Sequence, residues 1–159
     1  MKRIATAFLP VCALTACVAV VPISPPVATG TASSVPVVAT DSFTRQINAF
    51  RAESGVGPLR QSPTLTQAAK AHADDMQARG YFAHRSPTGG TLMTRARAAG
   101  CAMRAGAENI AQGQPTETAV LNGWANSSGH RSNMLNSRMT EYGLGRSGDI
   151  WVLKLSSGC

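Results

Sequence analysis

Residues 141–155, EYGLGRSGDIWVLKL, read as an antiparallel hairpin. Glu141 to Gly145 and Ile150 to Leu155 flank the turn residues Arg146-Ser-Gly-Asp149, and the second strand is nearly all apolar, as a buried strand is. Upstream of it the pattern is mostly helical. Ser42 to Glu53 sets Phe43, Ile47 and Phe50 at i, i+4 and i+7, with Asp41 or Ser42 as N-cap and Gly55-Val-Gly-Pro58 as its end. Ser62 to Arg79 carries one apolar stripe of Leu65, Ala68, Ala69, His72, Ala73 and Met76, closed by Gly80. Tyr81 to Gly89 is a loop, and Leu92 to Ala99 is a short helix stopped by Gly100. Ala107 to Ala111 (AENIA) is a short apolar segment with one acid in it. Pro115, at a first-turn position, starts a helix with Val120, Leu121 and Trp124 on one face, and Ser127 to Leu135 adds a cap and one or two further turns. Helices early and strands late predict an α+β fold and not a doubly wound sheet.

The first forty residues stand apart from this pattern. Residues 4–40 carry no charged side chain and hold five of the nine prolines, which leaves residues 41–159 to build one domain. Met1 to Cys17 has a charged start (Lys2, Arg3), an apolar stretch from Ile4 to Leu14 and a small-residue end, the layout of a secretory signal; it is too short and too interrupted by Pro10 to span a bilayer. Leu14-Thr15-Ala16-Cys17 resembles the lipobox of bacterial lipoproteins, which makes 1–16 a lipoprotein signal peptide, Cys17 the lipidated N-terminus and 17–40 a Pro/Thr/Val-rich tether. The alternative is an ordinary signal cut after an Ala-x-Ala-like site. Cysteine arithmetic favours the lipobox: with Cys12 lost and Cys17 acylated, Cys101 and Cys159 remain as an even pair for a disulfide in an oxidising location. By resemblance to lipoproteins of diderm bacteria, Val18 and not Asp after the cysteine implies an outer-membrane or periplasmic lipoprotein, anchored to the membrane through its N-terminal lipid.

The chain has a net charge of +7, to which Lys2 and Arg3 contribute. Between Asp75 and Glu108 there is no acid but there are five arginines, Arg79, Arg85, Arg95, Arg97 and Arg104. Such a face attracts anionic polymers or is simply solvated. No nucleic-acid-binding motif accompanies it, and nucleic acid is excluded as a partner on that ground together with the exported location.

YFAHRSPTG (81–89), AENIA (107–111), GWANSSGHRSNMLN (123–136) and TEYGLG (140–145), in this order and spacing, resemble the bacterial branch of the CAP superfamily, the SCP domain of cysteine-rich secretory and pathogenesis-related proteins. The resemblance covers about Ser42 to Leu155. It implies a three-layer α-β-α sandwich with a central antiparallel sheet and a cleft holding two histidines and two glutamates, the histidines binding a divalent metal in several members. Carried over, these are His84, Glu108 and His130. The second glutamate has no counterpart, since Ala125 to Gly129 contain no acid.

Two neutral imidazoles, a carboxylate and a water satisfy tetrahedral zinc, so His84 and His130 are candidate ligands for zinc or another divalent cation. The competing reading is a hydrogen-bonded network in which Glu108 pairs with a histidine and ties two loops together. Arg85 and Arg131, beside the two histidines, weaken a cation and favour an anionic ligand. His72, within a helical stripe, is read as a packed core residue. The chain lacks a Ser-His-Asp nucleophile elbow, an HExxH helix and a free cysteine positioned for catalysis, so the catalytic residues are unassigned. Three functions follow as expectations. The first is a non-enzymatic, monomeric binding module whose cleft takes a small apolar or anionic ligand, a divalent metal, or a cell-wall component such as an anionic envelope polymer. The second is a metal-assisted hydrolase with Glu108 as general base, and the third is a structural or interaction domain.

Overall fold

The computed structural model describes residues 42–159; the leader, Cys17 and the tether lie outside them. Helix α1 (Ser42–Glu53) buries Phe43 and Ile47. A two-residue strand β1 (Arg60–Gln61) leads into α2 (Pro63–Arg79). Helix α2 starts where the Ser62 hydroxyl accepts the Leu65 N–H, and stops where Gly80 takes a left-handed φ of 64° and donates its N–H to the Met76 carbonyl. Helix α3 (Leu92–Ala98) opens on a reciprocal Thr91–Thr94 capping box.

AENIA lies in strand β2 (Gly106–Gln112). Helix α4 (Glu117–Ala125) follows, capped by Thr116, whose hydroxyl accepts the Ala119 N–H. Pro115 therefore stands outside the helix and not in its first turn: the threonine cap, one residue later, decides where the helix begins. Helix α5 (Ser128–Met134) and the hairpin β3 (Glu141–Ser147) and β4 (Ile150–Ser156) complete the domain.

The sheet order is β1-β3-β4-β2, antiparallel except for β1, which pairs parallel with β3. The fold is thus α+β with a mixed sheet between two helical layers. On one face Phe43, Ile47, Val120, Leu121 and Trp124 of α1 and α4 meet Trp151, Leu153 and Leu155 of β4; on the other Ala69, Ala73 and Met76 of α2 meet Ile110, Ile150 and Val152. The period-two alternation of β4 is complete, and both sets are buried because both faces are covered. Cys101 and Cys159 form the expected disulfide, with Cα atoms 4.7 Å apart. Arg51, 1% exposed, fastens α1 to the segment after α5 by donating to the carbonyls of Gly57, Met134, Asn136 and Met139.

Helix α2 lies directly on the backbone of β3. A Cβ on Gly143 would sit 2.1 Å from the Leu65 carbonyl carbon, and one on Gly145 2.2 Å from the Lys70 nitrogen. Neither neighbour is a side-chain end that could swing aside. Gly143→Ala should therefore destabilise the domain by on the order of 3 kcal/mol, the upper part of the usual overpacking range, because the whole helix must shift. Urea unfolding checks this. An unchanged midpoint would mean that α2 does not rest on β3 this closely.

Candidate functional site

The alternation that builds the core also builds a polar cluster. On β4, Ile150, Val152 and Lys154 point to the same face, the one covered by α2. On β2, Glu108 and Ile110 do likewise, and Glu108 is the direct cross-strand partner of Lys154. Lys154 is 0% exposed and donates from Nζ to Glu108 Oε2. A lysine can be buried this deeply because a carboxylate waits opposite it.

Three more basic side chains converge on the same carboxylate. His84 Nδ1 lies 2.9 Å from Glu108 Oε1, and Arg95 Nη2 donates to both oxygens at 3.3 and 3.2 Å. His72 Nε2 lies 3.7 Å from Oε1, beyond hydrogen-bond range. The His72 ring is fully buried in the α2 stripe, as a core histidine is, yet it faces the cluster, with the Ala83 carbonyl close by. Arg95 also holds the loop in place: it donates to the carbonyls of His84 and Gly90, while the Ser86 hydroxyl accepts the Gly90 N–H at 2.8 Å. The arginine that looks like surplus surface charge in the sequence thus fixes the loop that presents His84.

His130 approaches from the other helical layer. Its carbonyl accepts from Asn109 Nδ2, and Asn109 Oδ1 in turn accepts from Asn133 Nδ2, which ties α5 to β2. The His130 side chain lines a groove of about 370 Å³ with Phe82, Ile110 and Trp124, and has no hydrogen bond to Glu108. Burial lowers the pKa of its imidazole, and His84 is near enough that a charge there lowers it further. Of the three residues carried over from the resemblance, His84 and Glu108 are in direct contact, while His130 stands beside them across the β2 edge. Lys154, Arg95 and His72 were not anticipated as site members. The one signal available for Lys154 was a lone charge inside an apolar strand.

Burial would raise the Glu108 carboxyl, but the Lys154 ammonium, the His84 hydrogen bond and Arg95 outweigh burial and hold it below the usual carboxylate range. Burial pushes Lys154 down to about 8 against the pull of Glu108. Burial, aided by Arg95 and Lys154, pushes His72 down to about 4, with Glu108 opposing. The unfolded chain then binds a proton at His72 near pH 6.5 that the folded domain refuses until about pH 4, so stability falls as the pH drops through that interval. Between pH 7 and 4.5 this amounts to about 2–3 kcal/mol. Unfolding free energies from urea at the two pH values should differ less in His72→Gln by that amount; an equal difference would exclude His72 as the source.

The arrangement does not fit a metal ion held by Glu108. Both carboxylate oxygens are taken by Lys154, Arg95 and His84, and two cations already stand where a third would have to enter. Among the described residues no three His, Cys, Asp or Glu side chains are grouped to hold one.

Residues 44–150 match the family model described as the cysteine-rich secretory protein family, CAP. YkwD of Bacillus subtilis (strain 168) is 41% identical over 107 residues, covering 66% of this chain and 42% of YkwD, and the membrane protein YlbC of the same organism is 34% identical over 98 residues, 62% of this chain and 28% of YlbC. The chain therefore spans less than half the length of these relatives. Among solved structures, an extracellular protein containing a SCP domain from Bacillus anthracis str. Ames superposes with a TM-score of 0.70 at 32% identity, over 72% of this chain and 38% of that one. An outer surface protein from Borrelia burgdorferi shares the fold at a TM-score of 0.65 and 23% identity, over 73% and 90% of the two chains. With the family model matched across most of the domain and the same fold in these proteins, the chain belongs to the CAP family of cysteine-rich secretory proteins.

Proposed function

We propose that this is an exported, lipid-anchored envelope protein whose CAP domain binds a ligand in the cleft between the His84 loop and α5 and does not transform it. The observation that carries this is the state of Glu108. A general base needs a lone pair within reach of the attacking water and a pKa near the working pH. Glu108 has both oxygens engaged and a pKa held below the carboxylate range, which makes it a poor base and a good anchor for the basic side chains around it. The metal-assisted hydrolase loses its base on the same observation.

The exported, surface location draws on the leader and on the names of two structural neighbours, an extracellular protein and an outer surface protein. No helix among the described residues is long and apolar enough to cross a membrane. Anchoring is assigned to a diacylated Cys17, because one acyl chain gives only marginal binding.

Sedimentation with purified cell-wall sacculi tests the reading. The wild-type protein should be carried down, and His84→Ala and His130→Ala at least fivefold less, both variants remaining folded by circular dichroism. Equal sedimentation of all three would remove the cleft from binding. Release of soluble wall fragments would show a hydrolase instead. In parallel, Cys17→Ser should stay uncleaved or leave the membrane fraction, and wild-type fractionation of that variant would overturn the anchor.

A further inference from the structure

The cluster around Glu108 is not electrically balanced, and the imbalance names a ligand chemistry. Glu108 is the one acid in residues 76–116. It faces Lys154, which is fully buried, and Arg95, whose side chain is 14% exposed. The Glu108 carboxylate, the Lys154 ammonium and the Arg95 guanidinium put one negative and two positive charges in the site. Arg95 also donates to the His84 and Gly90 carbonyls, which are neutral, and its buried Nε has no partner, so no second carboxylate discharges it. Buried charge of one sign, left over in a low-dielectric wall, projects into the adjoining cavity.

That cavity has a volume of about 410 Å³ and lies at Glu108 itself. Its polar rim is His84, Arg85 and Thr91, and its other wall is Leu92, Gly106 and Ala107. Arg85 is exposed and has no carboxylate partner among the described residues, so its guanidinium is a free fork for a planar oxyanion. A Cβ on Gly106 would collide with Met103 Sδ and the Leu155 carbonyl oxygen and would touch Leu92 Cδ2, which shows how closely the wall is packed at that point. Glu108 also lines the cavity, its charge compensated by Lys154 and Arg95, so Arg85 makes one side cationic while Leu92 and Ala107 make the other apolar.

Resting on the reading of the domain as a binding module, we propose that this cavity takes a small carboxylate-bearing molecule, its carboxylate held by Arg85 and its apolar part against Leu92 and Ala107. Lys154 and Arg95 fill the place of the counter-cation, so the cavity repels divalent metal ions and attracts anions. The source of the carboxylate, a peptide end or another small acid, leaves this chemistry unchanged.

N-acetylalanine and its uncharged amide, N-acetylalaninamide, make a matched pair of probes. The wild-type protein, extracted in a neutral detergent and labelled with nitrogen-15, is titrated with each at low salt and followed at the backbone amides of His84, Thr91 and Ala107. The acid should bind at least tenfold more tightly than the amide, and the preference should shrink as salt is added. Arg85→Gln, at an exposed position, should keep the spectrum of the folded domain and lose at least fivefold in affinity for the acid. One equivalent of zinc should leave the signals of His84 and His130 in place. Equal binding of acid and amide, an Arg85→Gln variant that binds like wild type, no saturable shift with either probe, or stoichiometric zinc binding at micromolar concentration would each overturn the proposal. Equal binding of the two probes would leave the binding-module reading standing, because that reading is judged by sedimentation with sacculi.

Discussion

Glu108→Ala should lower the stability of the domain by about 3–5 kcal/mol, the range seen when one partner of a buried ion pair is removed and the other is left uncompensated. The size follows from what remains: a fully buried Lys154 ammonium, an Arg95 guanidinium tied to the loop, and a His84 imidazole that has lost its acceptor. The sign of the coupling is as informative as the size. Lys154→Met alone leaves Glu108 with Arg95 and His84 and should cost less. Adding Lys154→Met to Glu108→Ala removes the stranded charge and should recover part of the loss, since a buried pair replaced by apolar groups is often nearly neutral. Urea unfolding of the four proteins at pH 7 gives the cycle. Additive effects, or a Glu108→Ala variant within about 1 kcal/mol of wild type, would mean that the cluster is solvated and not the buried pair described.

The second large effect lies at the chain end. Replacing Cys101 and Cys159 together by serine should cost about 4 kcal/mol, because the bridge closes a loop of 58 residues in sequence and the unfolded chain regains that freedom when it is cut. The loss should appear mainly as faster unfolding if the end of β4 docks late in folding, since such contacts are absent from the transition state. The bridge joins the segment after α3 to the residues that follow β4, the strand that carries Lys154, so the same variant should show faster amide exchange at Lys154 and Leu155. Stability within about 1 kcal/mol of wild type would show that the sheet holds its last strand without the link.

Much of the architecture was legible in the chain because it is set by neighbours in sequence. The i, i+4, i+7 pattern of Phe43, Ile47 and Phe50 marks α1, Ser62 and Gly80 punctuate α2 with a cap and a left-handed stop, and Gly148 at φ 57° turns the hairpin that was read from its turn residues and its nearly all-apolar second strand. The even cysteine pair was legible for the same reason, being a matter of count and compartment. His84 and Glu108 came from a motif, and a motif carries residue types and spacing but no partner.

What only the tertiary structure decided is everything set by groups distant in the chain. AENIA does not alternate between apolar and polar because both faces of β2 are covered, so it did not look like a strand. Strand β1, two residues long, exists only because β3 offers its edge. The charge of Lys154 looks misplaced in an apolar strand until Glu108, 46 residues away, is set opposite it. Local pattern records which face a side chain takes. Burial of charge depends on a partner brought from another strand, and four basic groups from α2, α3, β4 and the loop after α2 meet one carboxylate only when the layers close.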